Sequence, residues 1–244
     1  MTKIILVFAT VFAINAQAAD QNDVKYFQLA KVKVTEVTNQ YPLTETFTQP
    51  GLGEDCNPAS RAKVLDNGVP SLNPADPLDQ ISIIIDKIVN IGKKVWAIVE
   101  TGRPTVHIKT YTANALPQGL KCWSDLTGWQ IPQSKVYRVQ YENLYGMDVV
   151  DFAYRVTFTA GGALKGQGKY ITNATIMPAD LNVSWGYTFN ANAEVPSVFN
   201  MGTSEQPVAG MQMVMKWSVD TVMNHAEQAE SYYVGGDNTM KQME

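Results

Sequence analysis

The 244-residue sequence predicts a mainly β protein, an antiparallel β-sandwich or barrel-like sheet with one long amphipathic helix packed against it. Three observations predict it. Apolar and polar residues alternate with period two over most of the chain beyond Thr105, the mark of strands with one buried and one wet face. A single isoleucine-rich stretch, Ile81 to Val99, instead carries apolar residues at three- and four-residue steps. The composition, 45% apolar and 17% charged, supports a packed core and excludes both a disordered chain and a bundle of membrane helices.

The first element is an address. Lys3, the apolar run Ile4–Ile14 and Ala16-Gln17-Ala18 have the order of a secretory signal peptide, cleaved after Ala18. Residues 1–18 are thus expected to be removed, leaving 19–244 as one β-rich domain that is exported to the periplasm or secreted. Val24 to Thr38 alternates as a first strand. Six of the twelve prolines then fall between residues 41 and 80, so this stretch is expected to be an extended Pro-rich connection.

The expected helix covers 77–101. Asp76 or Asp79 can cap it and Pro77 suits its first turn, with Gly102 and Pro104 closing it. Its charges include Lys87, Lys93 and Lys94, which argue against a transmembrane span.

Antiparallel strands are expected over 105–235. Val106 and Ile108 flank His107; then come Tyr137–Tyr141, Val150–Phe158, Leu181–Phe189 and Met211–Val219. Turns are expected at Tyr145–Asp148, Gly161-Gly162 and Pro178–Asp180, and about His225. Gly166-Gln167-Gly168 reads as a bulge or tight strand, since it lacks the third glycine and the setting of a dinucleotide loop.

Chemistry-bearing residues are few. With two histidines and two cysteines, most zinc, haem and triad architectures are excluded, and no nucleophile elbow, phosphate-binding loop or calcium loop occurs. The sequence thus designates no catalytic, cofactor or metal residues and leans away from an enzyme. Asp125, Glu142, Asp148 and Asp151 offer carboxylates, but their spacing selects no pair. In an oxidising compartment Cys56 and Cys122 are expected to form a disulfide, worth about 4 kcal/mol in the chain-entropy model. Trp123 and Trp129 fall in a less regular stretch and, with Lys93 and Lys94, form the candidate surface for a ligand or a membrane.

Twenty-three acidic against 19 basic residues disfavour nucleic acid as a partner and leave protein, glycan or lipid open, with oligomeric state unspecified. The leading functional expectation is an exported, non-enzymatic binding or structural module. The alternatives are an outer-membrane β-barrel, for which the long strands argue, and a secreted membrane-active, pore-forming-like protein, for which the lysine-bearing helix argues.

Overall fold

The computed structural model describes residues 21–41, 83–99, 111–120 and 122–243. The expected signal peptide, most of the Pro-rich connection, Cys56 and the His107 segment lie outside these residues. The described residues form one short α-helix, α1 (Gln21–Phe27), two single 3₁₀ turns at Thr38–Gln40 and Trp123–Asp125, and eleven strands. These are β1 (Leu29–Glu36), β2 (Ile84–Gly92), β3 (Val95–Val99), β4 (Ala113–Gln118), β5 (Gln133–Asn143) and β6 (Asp148–Leu164). They continue with β7 (Gln167–Val183), β8 (Thr188–Asn200), β9 (Ala209–Asp220), β10 (His225–Gly235) and β11 (Met240–Met243).

Two antiparallel sheets form a sandwich. The first has the order β1-β5-β6-β7-β4-β2 and the second β11-β10-β9-β8-β3. Period-two patterning builds most of it. Phe152, Tyr154, Val156 and Phe158 of β6 meet Phe189 of β8, Met211, Met213, Met215 and Trp217 of β9 and Tyr232 of β10 in one continuous core.

That core holds buried tyrosines whose hydroxyls need partners. Tyr154 and Tyr232 satisfy each other across the sheets at 2.6 Å. Trp217 Nε1 donates to the Tyr141 hydroxyl at 3.0 Å, and Trp96 Nε1 donates to the Ile176 carbonyl at 3.2 Å. Burial pushes the Tyr137 phenol up to about 12 and raises that of Tyr154 as well.

The long helix is not formed. Where it was expected, the chain makes β2 and β3, edge strands of opposite sheets, and the only α-helix among the described residues is α1. The residues explain why. Ile84, Ile85, Ile88, Val89, Ile91, Val95, Ile98 and Val99 are all β-branched, stiff in a helix and well suited to a pleated surface. A run this dense in isoleucine satisfies a helical spacing and a strand alternation at once. Trp96 and Ile98, two apart, are the pair that β3 buries. Gly92, at φ +127°, ends β2 in a backbone conformation that other residues rarely adopt.

Other boundaries move for local reasons. Val24 and Tyr26 belong to α1, so the first strand begins at Leu29. The β6–β7 turn is Lys165-Gly166, both at positive φ as a two-residue hairpin requires, rather than Gly161-Gly162. Gly162 stays in β6, where the Trp129 ring covers it; a Cβ there would lie 2.3 Å from the ring. Pro178 pairs with Tyr154 inside β7, beside a bulge, and β4 reaches only the Ile171–Ala174 part of that strand. The run Leu181–Phe189 is two strand ends joined by a turn at Ser184–Tyr187, and His225 opens β10.

A pair of glycine substitutions separates close packing from backbone strain. A Cβ at Gly92 would lie 2.2 Å from the Thr112 carbonyl oxygen, whereas one at Gly146 (φ +73°) would meet nothing within 4 Å. Gly92→Ala should therefore lower stability by roughly 3 kcal/mol and Gly146→Ala by about 1 kcal/mol, read from urea midpoints.

Candidate functional site

The meander order brings three turns to one end of the sandwich. The β5–β6, β7–β8 and β9–β10 connections all lie there because successive antiparallel strands return to the same end at every second turn. Each turn displays large apolar side chains. The first carries Leu144, Tyr145 and Met147, each about half exposed; the second carries Trp185, 82% exposed; the third carries Val222, 81% exposed, and half-exposed Met223. No charged residue stands between Leu144 and Met147, Ser184 and Tyr187, or Thr221 and Asn224.

Polar groups beneath the surface set these turns. The buried Asn143 accepts hydrogen bonds from the Tyr145 and Met147 amides through Oδ1, at 3.0 and 3.1 Å. The Thr221 hydroxyl accepts from the Met223 and Asn224 amides, at 3.1 and 2.8 Å. Gly186, at φ +82°, closes the middle turn, and the Phe27 ring leaves no room for a Cβ at that position.

The chain from Tyr26 to Gln28 ties the three turns together. Asn143 Nδ2 donates to the Tyr26 carbonyl at 3.3 Å, and the Leu144 amide to the Gln28 carbonyl at 3.1 Å. The Tyr26 hydroxyl donates to the Trp185 carbonyl at 3.1 Å, and the Thr221 hydroxyl to the Phe27 carbonyl at 3.0 Å. The Tyr187 hydroxyl also donates to the Tyr26 carbonyl. Phe27 stacks edge-on with Tyr26, ring centroids 5.0 Å apart, and lies 6.1 Å from the Trp185 ring. The three turns are thus tied to one another through residues 26–28, and their apolar side chains stand exposed on that frame.

The residues proposed from sequence lie elsewhere. Trp123 and Trp129 pack edge to face, 6.4 Å apart, half-buried against the core. Their segment bonds to β6 at Ala160 and Ala163, at the opposite end of the sandwich from the apolar turns. Lys93 and Lys94 are exposed on the β2–β3 crossover. Lys93 Nζ sits 3.9 Å from the Tyr111 ring centroid, and the Lys94 carbonyl accepts from the Val195 amide. The structure brings neither pair to the apolar end. Cys122 is fully buried, its Sγ 3.0 Å from Ser124 Oγ. Among the carboxylates, Asp151 is held by Arg138 and Glu142 by Lys31.

The outward face of the second sheet is polar. A recess of about 900 Å³ there is lined by Ala97, Asn190, Asn192, Lys216, Ser218 and Glu227 among others, with Lys216 paired to Glu194 at 2.6 Å. Among the described residues no group of three or more His, Cys, Asp or Glu side chains is arranged to hold a metal ion. Compared with models of known families, with curated proteins and with solved structures, the chain has no match.

Only Tyr145 and Met147 could have been found from sequence, because Gly146 marks their turn. Trp185 continues the apolar parity of Leu181 and Val183, so alternation hides it inside a strand.

The β9–β10 turn has a titrating base. The His225 ring lies between Asp220 and Glu227, with Nε2 3.1 Å from Glu227 Oε1. The hydrogen bonds to Asp220 and Glu227 raise the imidazole above its ordinary value. The contribution of the protonated pairing is therefore complete below the ordinary histidine range and fades as pH rises through the folded-state value. An NMR titration should find the His225 midpoint above that of a free histidine, and Asp220→Asn with Glu227→Gln should bring it back down.

Proposed function

We propose that this chain is an exported β-sandwich that acts by binding, and that the braced apolar end is its contact surface. One observation carries the reading: six large apolar side chains are exposed together on three turns that hydrogen bonds hold outward. Soluble domains rarely expose contiguous apolar surface without using it for a protein or membrane contact. The braced frame favours this use, because turns whose backbone is already fixed lose little backbone freedom on docking.

Export supplies the setting. The Met1–Ala18 pattern supports it, and an oxidising compartment would let Cys56 and Cys122 form the expected bridge. Two sheets packed over a filled aromatic core favour a binding module over a membrane-spanning barrel. Lipid would also have to face Asn190, Asn192, Lys216, Ser218 and Glu227 on the outside of the second sheet.

Methionine oxidation tests the contact surface directly. Met147 and Met223 stand at the apolar end, and Met201, also exposed, follows β8 at the other end. Peroxide should oxidise all three in the purified mature chain. In the intact producing cell Met147 and Met223 should be protected while Met201 remains reactive; equal reactivity in place would remove the apolar end as the contact surface. The export reading has its own check. Intact mass after alkylation should reveal two thiols only on reduction, and thiols that alkylate without reductant would overturn the bridge.

A further inference from the structure

We propose that the partner of the apolar end is the interfacial region of a lipid bilayer, into which Trp185, Val222, Met223, Leu144, Tyr145 and Met147 insert from their three turns. This inference rests on reading that end as the contact surface, and four observations take it from a surface to a bilayer.

The first is shape. The apolar side chains project from three separate turns, 82% and 81% exposed at Trp185 and Val222. A projecting end of this kind enters a deformable apolar medium without needing a matching pocket.

The second is chemistry. Trp185 and Tyr145 carry amphipathic rings of the type that settles at the boundary between headgroups and acyl chains, and Leu144, Met147, Val222 and Met223 supply purely apolar surface. The other tryptophans do something different: Trp96 and Trp217 are buried in the core, and Trp123 and Trp129 pack together at the far end.

The third is charge. The apolar residues of the three turns have no charged residue between them; around them stand Lys25 on α1, Asp148 at the start of β6, and Asp220, His225 and Glu227 where β9 passes into β10, with no excess of cations. This balance gives no advantage to anionic lipid. The attraction is apolar burial, so binding should survive high salt and should not require a negative surface.

The fourth is connectivity. In the export reading, removal of Met1–Ala18 leaves the mature N-terminus beside the membrane it has crossed and just before α1, whose last residues brace the three turns. The chain therefore enters the sandwich at its apolar end.

Flotation of the purified mature chain with vesicles tests the inference. Vesicles of pure phosphatidylcholine, and vesicles containing phosphatidylglycerol, should float the protein to a similar extent at low and at high salt. Brominated phosphatidylcholine should quench part of the tryptophan emission, and Trp185→Phe should abolish that quenching. Trp185→Ser combined with Val222→Ser should lower the vesicle partition by at least about tenfold. Both side chains are exposed, so the double variant should keep its thermal midpoint.

Failure to float with either vesicle would overturn the inference. So would flotation that needs phosphatidylglycerol and is lost in high salt, or flotation that the double variant leaves unchanged. If Met147 and Met223 are protected in the intact cell while the purified chain does not float, the contact surface stands and its partner is a protein. If they are neither protected nor floated, both readings fall.

Discussion

Two sheets that bury tyrosines between them must solve a matching problem, and its solution orders this molecule. A phenol hydroxyl left unbonded in the interior would cost about 1–3 kcal/mol, which favours the arrangement that gives the central ones partners. Tyr154 of β6 meets Tyr232 of β10, and Tyr141 of β5 meets Trp217 of β9. Trp96 of β3 reaches the backbone of β7 at Ile176. These links run from one sheet to the other, so sliding either sheet would strand a polar group in an apolar interior. Aliphatic packing alone tolerates such sliding far better, because it has no direction.

That fixed relation carries through to the ends of the strands. Once the sheets are in register, the β5–β6, β7–β8 and β9–β10 turns come to the same level, close enough for residues 26–28 to bond to all three. Asn143, Thr221 and Gly186 each solve a local turn, and their combined effect is an apolar surface assembled from positions some forty residues apart in sequence. The opposite end is built differently. There Trp129 lies over Gly162 of β6, and its neighbour Trp123 closes a packed pair.

The sandwich was legible where long strands alternate apolar and polar residues, even in β6, whose Arg155, Thr157 and Thr159 are buried on the other face. β5, β6 and β9 each alternate over most of their length, and their inward residues were read directly from parity. The edge strands were not legible. β2 and β3 are dense in isoleucine and valine, and such a run is compatible with two periods at once; β-branching, which favours strands, was outweighed by three- and four-residue spacing. Turns were misread where glycine or proline had another task, as at Gly162 beneath Trp129 and at Pro178 beside a bulge. The apolar end was hidden for a different reason. Its residues belong to separate turns, and only the sheet topology makes them neighbours. Trp185 in particular obeys the alternation of the strand before it and gives no local sign of exposure.

The pairing order has a consequence for how the chain reaches this state. β5 to β7 and β8 to β11 are meanders, whose strands find partners nearby in sequence. The earlier strands are different: β1 waits for β5, β4 for β7 and β3 for β8, a separation of about a hundred residues in the first and third cases. A chain delivered with its N-terminus first therefore exposes β1 to β4 before their platforms exist. Assembly then begins from the later half, with β1, β3 and the β4–β2 pair added to the edges of sheets already formed. The β6–β7 hairpin, closed by Lys165-Gly166, is the natural start, because it joins the two longest strands through a two-residue loop.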